Sequence, residues 1–319
     1  MNRILDLILK LIYKIIPQGV KTRFLQIIIN DKFVWPMYDS LNIPGFGTNL
    51  ARFIFPIYSF KEQNQIDSIS ESNKKIIVNY FSEHALSFEK YMPLISQRIN
   101  TICNNYSFVE KDNTSPYINN VFIGVADAAA LQAMLIYHKP RNYIEIGSGI
   151  STKYAKAVIT EEKLNTTIIS IDPFPRSEII NVCDELITET FETKFEYVLQ
   201  KAQKGDIVFL DGSHYVFPSN DTVVFFFQII NNLPKGTIVH IHDIYLPFDY
   251  PKEAKKQLWA ENYLLMAWIL GGGNSILPLL PVNYLTNIDS TLRLKLEEKK
   301  ILEDTYQKYQ GFSFWFEIV

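Results

Sequence analysis

The sequence predicts an α/β protein with a Rossmann-like, mostly parallel seven-stranded sheet, helices on both faces and a mainly helical N-terminal segment. Three observations predict it. Short apolar runs alternate with helical stretches from about residue 142 to the end of the chain, a pattern typical of a parallel sheet covered on both faces. A Gly-x-Gly turn follows the first run, and acidic residues follow several others. Because such sheets bind ligands beyond the C-terminal ends of their strands, the last two observations also concern function.

The composition limits the classes of function. With 319 residues, 47% of them hydrophobic and 20% charged, the chain is long enough for one large domain and an accessory segment. A net charge of −3 provides no electrostatic basis for general nucleic-acid binding. Cys103 and Cys183 lie far apart, which argues against a disulfide framework or a thiolate zinc site and favours a reducing compartment, the cytoplasm.

Apolar residues at helical spacing predict an amphipathic helix over residues 1–16. Charged residues interrupt it, so it is too short and too polar to span a bilayer, which takes about 20 apolar residues. They also split the apolar core that a signal peptide needs. Two interpretations stay open. The helix docks on its own protein or on a partner chain, including a second copy in a homo-oligomer, or it lies in the interface of the inner membrane.

The rest of the N-terminal segment combines loops and helices. Proline, glycine and aromatic residues over 30–59 predict a loop-rich connector. Residues 72–102 are predicted to be helical, with Pro93 at a helix start or break. A further helix is predicted over Asp127–Leu135. We therefore expect a mostly helical segment over 1–116 and an α/β domain over 117–319.

The first βα unit has the order strand, glycine turn and helix that is typical of nucleotide-binding proteins. The strand ends at Ile146, and Gly147 can take the sharp turn that follows. Gly149 lets the backbone approach a ligand closely, and the next helix offers free N–H groups. The dinucleotide fingerprint has a third glycine where this chain has Thr152, which disfavours a pyrophosphate ligand.

The second strand, residues 167–171, ends on Asp172. An acid at this position can accept hydrogen bonds from both hydroxyls of a ribose. A nucleoside without a pyrophosphate, with Glu145 facing a cationic tail, indicates S-adenosylmethionine. The remaining elements continue the alternation, with helices predicted over 176–184, 193–203, 221–230 and 252–270, and strands over 185–190, 206–210, 237–241, 276–280 and 312–318.

Acids and imidazoles follow the fourth and fifth strands. Asp211 and His214 come after the fourth strand, while His240, His242 and Asp243 lie at the end of the fifth. Two aspartates with one or two histidines are a suitable ligand set for a divalent cation and also a suitable general-base cluster. In the alternative interpretation the two aspartates cap the helices that follow, and His240 is buried in its strand.

The run from Ile144 to Thr152 resembles motif I of class I S-adenosylmethionine-dependent methyltransferases. More narrowly, the chain resembles a bacterial subgroup related to macrocin O-methyltransferase and cephalosporin hydroxylase. The resemblance covers about residues 117–319 and rests on motifs in the correct order, which are Asn120, Phe122, Asp127-Ala128, residues 171–176, 209–214, 239–244, 247–251 and 311–315.

The resemblance implies site residues by position. Glu145, Gly147, Ser148 and Gly149 would hold the methionine end of the cofactor and Asp172 its ribose, with Ser151 and Asp211 completing the set. Asp211 and Asp243 match positions that bind a divalent metal in sugar-methylating relatives, which usually have an acid where this chain has His242. Asp211, His242 and Asp243 are therefore the expected ligands of Mg²⁺ or Mn²⁺. The subgroup commonly has Trp-Asn-Glu where this chain has Trp259-Ala260-Glu261.

The resemblance implies O-methylation of a hydroxyl on a sugar, a glycan or a small-molecule natural product. We expect His214 or His242 to take the hydroxyl proton, with Asp211 and Asp243 orienting it directly or through a metal. Two alternatives remain: a fold relative with other chemistry such as hydroxylation, and a non-catalytic nucleoside-binding or scaffold protein.

Overall fold

The computed structural model describes residues 67–176, 178–273 and 275–319. The predicted helix over 1–16 and the connector over 30–59 lie outside these residues. Asp67–Pro251 and Trp259–Val319 form one compact unit. Lys252–Leu258 is not part of this unit and contains one short helix, Lys252–Lys256. The boundary expected near residue 116 stays a prediction.

The compact unit is built around a seven-stranded sheet, which confirms the predicted fold class. Its order is β3-β2-β1-β4-β5-β7-β6, and β7 is antiparallel to both of its neighbours while the other pairs are parallel. The strands are β1 Asn142–Ile146, β2 Thr167–Ile171, β3 Glu185–Ile187, β4 Ile207–Leu210, β5 Ile238–Ile241, β6 Ile276–Pro281 and β7 Phe314–Ile318.

Every residue of β1, β4 and β5 is buried. Because successive side chains of a strand point to opposite faces, both faces of the sheet are covered there. The described α-helices are α1 Glu71–Glu83, α2 Ala85–Glu89, α3 Met92–Asn105, α4 Val125–His138, α5 Ile150–Glu161, α6 Phe191–Lys201, α7 Asp221–Val224, α8 Lys252–Lys256, α9 Glu261–Leu270, α10 Val282–Asn287 and α11 Thr291–Glu297. Among these helices none has both the length and the apolar character needed to cross a membrane.

The N-terminal helices follow the predicted pattern. The stretch predicted over 72–102 forms α1, α2 and α3, and Pro93 lies in the first turn of α3, as expected. Its missing N–H costs nothing there, because the first N–H groups of a helix have no partner within it. Helix α4 is buried from Val125 to Leu135.

Several element predictions need correction. The described residues between 176 and 184 form a 3₁₀ turn, Ile179–Asn181, in place of a longer helix, and the third strand ends at Ile187. The helix predicted over 221–230 becomes π-helical at Phe225–Ile229. The helix predicted over 252–270 is interrupted, because Leu258 has φ 64° and a left-handed residue cannot continue a right-handed helix.

Candidate active site

The glycine turn after β1 lies directly against the end of β4. The N–H of Asp211 donates to the carbonyl of Ile146 over 2.9 Å. Gly147 has φ 86°, and a Cβ at that position would lie 2.0 Å from the Asp211 carbonyl oxygen. The turn therefore requires glycine on two grounds, the backbone conformation and the lack of space.

Gly149 differs from Gly147. A Cβ added there would meet nothing within 4 Å, so the turn borders open space at this point. Its N–H donates over 3.0 Å to Oγ1 of Thr152, whose hydroxyl in turn donates over 2.6 Å to Oε1 of Glu145. Thr152 thus joins the start of α5 to the strand, a role that sequence analysis missed when it noted only the absent third glycine.

Glu145 is fully buried. Its Oε1 accepts hydrogen bonds from the hydroxyls of Thr152 and Ser170. Its Oε2 has no hydrogen-bond partner in the structure. Burial raises the pKa of this carboxyl to about 7, and the two hydroxyl donors partly oppose the rise. Oε2 is thus a buried acceptor beside the turn that a ligand's ammonium group can satisfy.

Asp172 at the end of β2 is held against the same turn. Its Oδ2 accepts from the backbone N–H of Ser148 over 3.0 Å and from the Ser148 hydroxyl over 2.8 Å. Its Oδ1 accepts from the N–H of Phe174 over 2.8 Å. The structure thus brings Asp172, Ser148 and the glycine turn together, while Ser151 lies buried in the first turn of α5.

These residues fit the nucleoside and amino-acid ends of S-adenosylmethionine. Two features support the fit: Oε2 of Glu145 is buried without a hydrogen-bond partner among the described residues, and a Cβ added at Gly149 would meet nothing within 4 Å. The half-buried carboxylate of Asp172 lies at the neighbouring strand end, where a ribose binds in such folds. The fit rests on these features of the chain.

A second cluster follows β4 and β5. Asp211, His214 and Asp243 each offer one ligand atom, and these atoms lie within 4.8 Å of one another. Nε2 of His214 is 3.7 Å from Oδ1 of Asp211 and 3.6 Å from Oδ2 of Asp243. His214 and Asp243 have φ 63° and 56°, conformations that non-glycine residues rarely adopt and that concentrate at functional sites.

His242 lies deeper than this cluster. Its side chain is 2% exposed, with Nε2 3.7 Å from Oδ2 of Asp127. Its Nδ1 is 3.5 Å from Oδ2 of Asp243. The structure therefore brings His214, rather than His242, together with the two aspartates as the third group able to bind a metal.

Two residues of the alternative interpretation have defined contacts in the structure. Asn220, not Asp211, caps α7, since its Oδ1 accepts the N–H of Val223 over 3.1 Å. His240 is buried within its strand, as that interpretation held, and its ring stacks 3.8 Å from that of Trp315. Nε2 of His240 is 2.8 Å from Oγ of Ser313. His240 is therefore part of the core.

Carboxylates determine the charge of the two site histidines. Burial alone would lower the pKa of His214, but Glu261, Asp243 and Asp211 outweigh it and raise the pKa to about 10. Burial also opposes protonation of His242, yet Asp243 and Asp127 hold its pKa well above the ordinary value. The same imidazoles lower the pKa of Asp243 against the effect of its burial. The carboxylates thus favour the protonated form of both imidazoles.

Comparison with known proteins supports the same region. Residues 144–244 match the model of a family described as a methyltransferase domain. The matched segment begins at β1 and ends just after Asp243, so it contains the glycine turn, Asp172 and the acid–imidazole cluster. It covers about a third of the chain. No curated protein matches the chain significantly.

Two solved structures resemble the chain weakly. One is a "putative methyltransferase" from Thermobifida fusca YX, with 13% identity, a TM-score of 0.35 and coverage of 60% of this chain and 81% of the other. The second is coclaurine N-methyltransferase bound to N-methylheliamine and SAH, with 9% identity, a TM-score of 0.30 and coverage of 76% and 93%. Likenesses this low carry no argument about ligand or reaction.

Proposed function

We propose that this protein is an S-adenosylmethionine-dependent methyltransferase that methylates a hydroxyl of a sugar, a glycan or a small-molecule natural product. One observation carries the proposal. The acid–imidazole cluster adjoins the glycine turn, because Asp211 is hydrogen-bonded to the end of β1 and packs against Gly147. A methyl donor in the turn and a group that accepts a proton would therefore be neighbours.

The cluster supplies what an O-methyltransferase needs. A sulfonium is already a good leaving group, so the protein must align the acceptor oxygen and accommodate its proton. Asp211 is the most accessible member, with 34% of its side chain exposed against 13% for His214. Because His214 is already protonated at neutral pH, we assign proton acceptance to Asp211, with the charged imidazole orienting it. His242 is 2% exposed, so we assign it no contact with the acceptor.

Two carboxylates and one imidazole also form a ligand set for a divalent cation, which Asp211, His214 and Asp243 would hold. His214 would bind it as the neutral imidazole, so the cation would take the place of the proton on Nε2. An imidazole ligand suits Mn²⁺ better than Mg²⁺, which prefers oxygen. A bound cation would supply positive charge for the oxygen that loses its proton. The chain's own residues would still position the acceptor and exclude water.

Calorimetry with S-adenosylmethionine tests the cofactor, and methyl transfer to a panel of sugars and phenols, with and without Mn²⁺ or Mg²⁺, tests the reaction. We expect binding that Asp172→Ala weakens at least tenfold. We expect transfer that Asp211→Asn and His214→Gln reduce by about 100-fold without a comparable loss of cofactor affinity. Undetectable S-adenosylmethionine binding by the wild type would refute the proposal. So would wild-type turnover in both variants of the cluster.

A further inference from the structure

We propose that Glu261 is a positioning residue that fixes the ring of His214, so that Nε2 faces the space between Asp211 and Asp243 where a divalent cation binds. This inference rests on the proposed function and assigns a role to a residue that the sequence analysis did not select. Its basis is a set of contacts from one short segment, Trp259–Glu261, to one histidine.

The first contact is a buried hydrogen bond. Oε1 of Glu261 lies 2.6 Å from Nδ1 of His214, and the Glu261 side chain is 1% exposed. A carboxylate only accepts, so Nδ1 must be the donor. With Nδ1 occupied in this way, Nε2 becomes the nitrogen that faces the aspartates, at 3.7 and 3.6 Å. A carboxylate that holds the far nitrogen of a metal-binding imidazole orients the ring and increases its basicity.

The neighbouring residues hold the rest of His214. The indole of Trp259 lies 4.4 Å from the imidazole, with an angle of 38° between the rings. The N–H of Ala260 donates over 2.8 Å to the carbonyl of His214. His214 has φ 63°, a strained conformation that persists only where surrounding contacts enforce it. Ring, backbone and Nδ1 are thus each held by one of three consecutive residues.

Burial of Glu261 is costly unless the carboxylate has a specific partner. Its Oε2 has no hydrogen-bond partner in the structure, so His214 is the contact that compensates the buried charge. Glu261 also begins α9, where an acid interacts favourably with the helix dipole. An exposed acid would provide that benefit as well, so the dipole does not explain the burial.

The test uses the full chain with Glu261→Gln and Glu261→Ala, and Mn²⁺ as the probe of the cluster. Glu297→Gln is the control, since it makes the same replacement in an exposed pair with Arg293. Calorimetry gives the affinities for Mn²⁺ and S-adenosylmethionine, and nuclear magnetic resonance of ¹⁵N-labelled imidazoles follows solvent exchange of the Nδ1–H of His214. Urea unfolding verifies that each variant folds.

We expect Glu261→Ala to weaken Mn²⁺ binding by about 10- to 100-fold and to expose Nδ1–H to rapid exchange. Glu261→Gln should lose less affinity, because its amide oxygen still accepts from Nδ1–H but lacks the charge. Glu297→Gln should match the wild type, and affinity for S-adenosylmethionine should change less than twofold in every variant. A purely structural role would not separate the two affinities in this way.

Three results would overturn the inference: no Mn²⁺ binding by the wild type, equal Mn²⁺ affinity in the wild type and both Glu261 variants, or rapid exchange of Nδ1–H in the wild type. Failure of the proposed function gives a different result. In that case S-adenosylmethionine would bind to no variant, while Mn²⁺ affinity and Nδ1–H exchange would still depend on Glu261.

Discussion

Replacement of Glu145 by glutamine tests the electrostatics of the glycine turn through the pH dependence of stability. The wild-type side chain is fully buried, and burial raises the pKa of its carboxyl from 4.5 to about 7. Each unit of pKa difference between the folded and unfolded states corresponds to about 1.4 kcal/mol, so this difference corresponds to about 3 kcal/mol. The stabilisation is fully present below the unfolded pKa and is lost as the pH rises through the folded pKa.

Glutamine does not titrate, so the variant lacks this dependence. Its free energy of unfolding relative to the wild type should therefore increase by about 2.5 kcal/mol from pH 5 to pH 8. A fixed cost is added at both pH values, because the glutamine amide places an N–H₂ group where Oε2 of Glu145 has no partner. That cost cancels when the two pH values are compared.

Urea denaturation followed by tryptophan fluorescence measures the effect, with wild type and variant unfolded at pH 5 and pH 8 at one ionic strength. Glu297→Gln makes the same replacement in an exposed pair with Arg293 and is the control for the substitution itself. If the difference between Glu145→Gln and the wild type is the same at both pH values, the carboxyl does not have the raised pKa and the reasoning is refuted.

Three further predictions concern other positions. Gly147→Ala should lower the free energy of unfolding by about 2 kcal/mol or more, because φ is 86° and the added Cβ meets the Asp211 carbonyl. Gly149→Ala should instead keep the wild-type urea midpoint and weaken S-adenosylmethionine binding in calorimetry. Equal destabilisation by the two substitutions would contradict the conclusion that space for a Cβ is missing at Gly147 and present at Gly149. Asp127→Ala should lower the free energy of unfolding by about 3 kcal/mol, because the fully buried carboxylate accepts the backbone N–H groups of Phe312 and Ser313, just before β7. An unchanged urea midpoint would exclude that role. The buried ammonium of Lys153 forms two long ion pairs, at 3.3 Å to Glu178 and 3.6 Å to Glu110. Lys153→Met should therefore keep the free energy of unfolding within about 1 kcal/mol, because methionine fills the same space and needs no charge partner, while Lys153→Ala should lose about 2 kcal/mol or more through the cavity. Equal losses in urea denaturation would show that the lysine's ion pairs stabilise the fold.

Local patterns predicted the sheet well. Each parallel strand is a short apolar run, and a run such as Ile207–Leu210 is buried on both faces in the structure, as its composition indicates. The glycine turn could also be predicted, because its conformation depends on adjacent residues. The break in the helix predicted over 252–270 could not be predicted, because the sequence shows no interruption of its helical periodicity at Leu258. The break instead accompanies a hydrogen bond from Ala260 to His214.

The candidate site was predicted only in part. Asp172 and Asp211 follow strands, so parallel pairing alone places them at the same edge of the sheet. The choice between His214 and His242 beside the aspartates depends on how each loop turns after its strand. His214 reaches the cluster through φ 63°, and no local pattern predicts that value for a histidine. Glu261 lies 47 residues from its partner, so sequence spacing contained no information about the pair.

The sequence by itself determined the α/β class, the glycine turn at β1 and the acids at the strand ends, because these depend on short apolar runs and on residues next to one another. Tertiary structure decided which charged groups meet. Glu145 turns inward to Thr152 and Ser170, and His214 lies between three carboxylates. Those contacts join segments far apart in the chain, and their strength depends on burial, which exists only after the chain has folded.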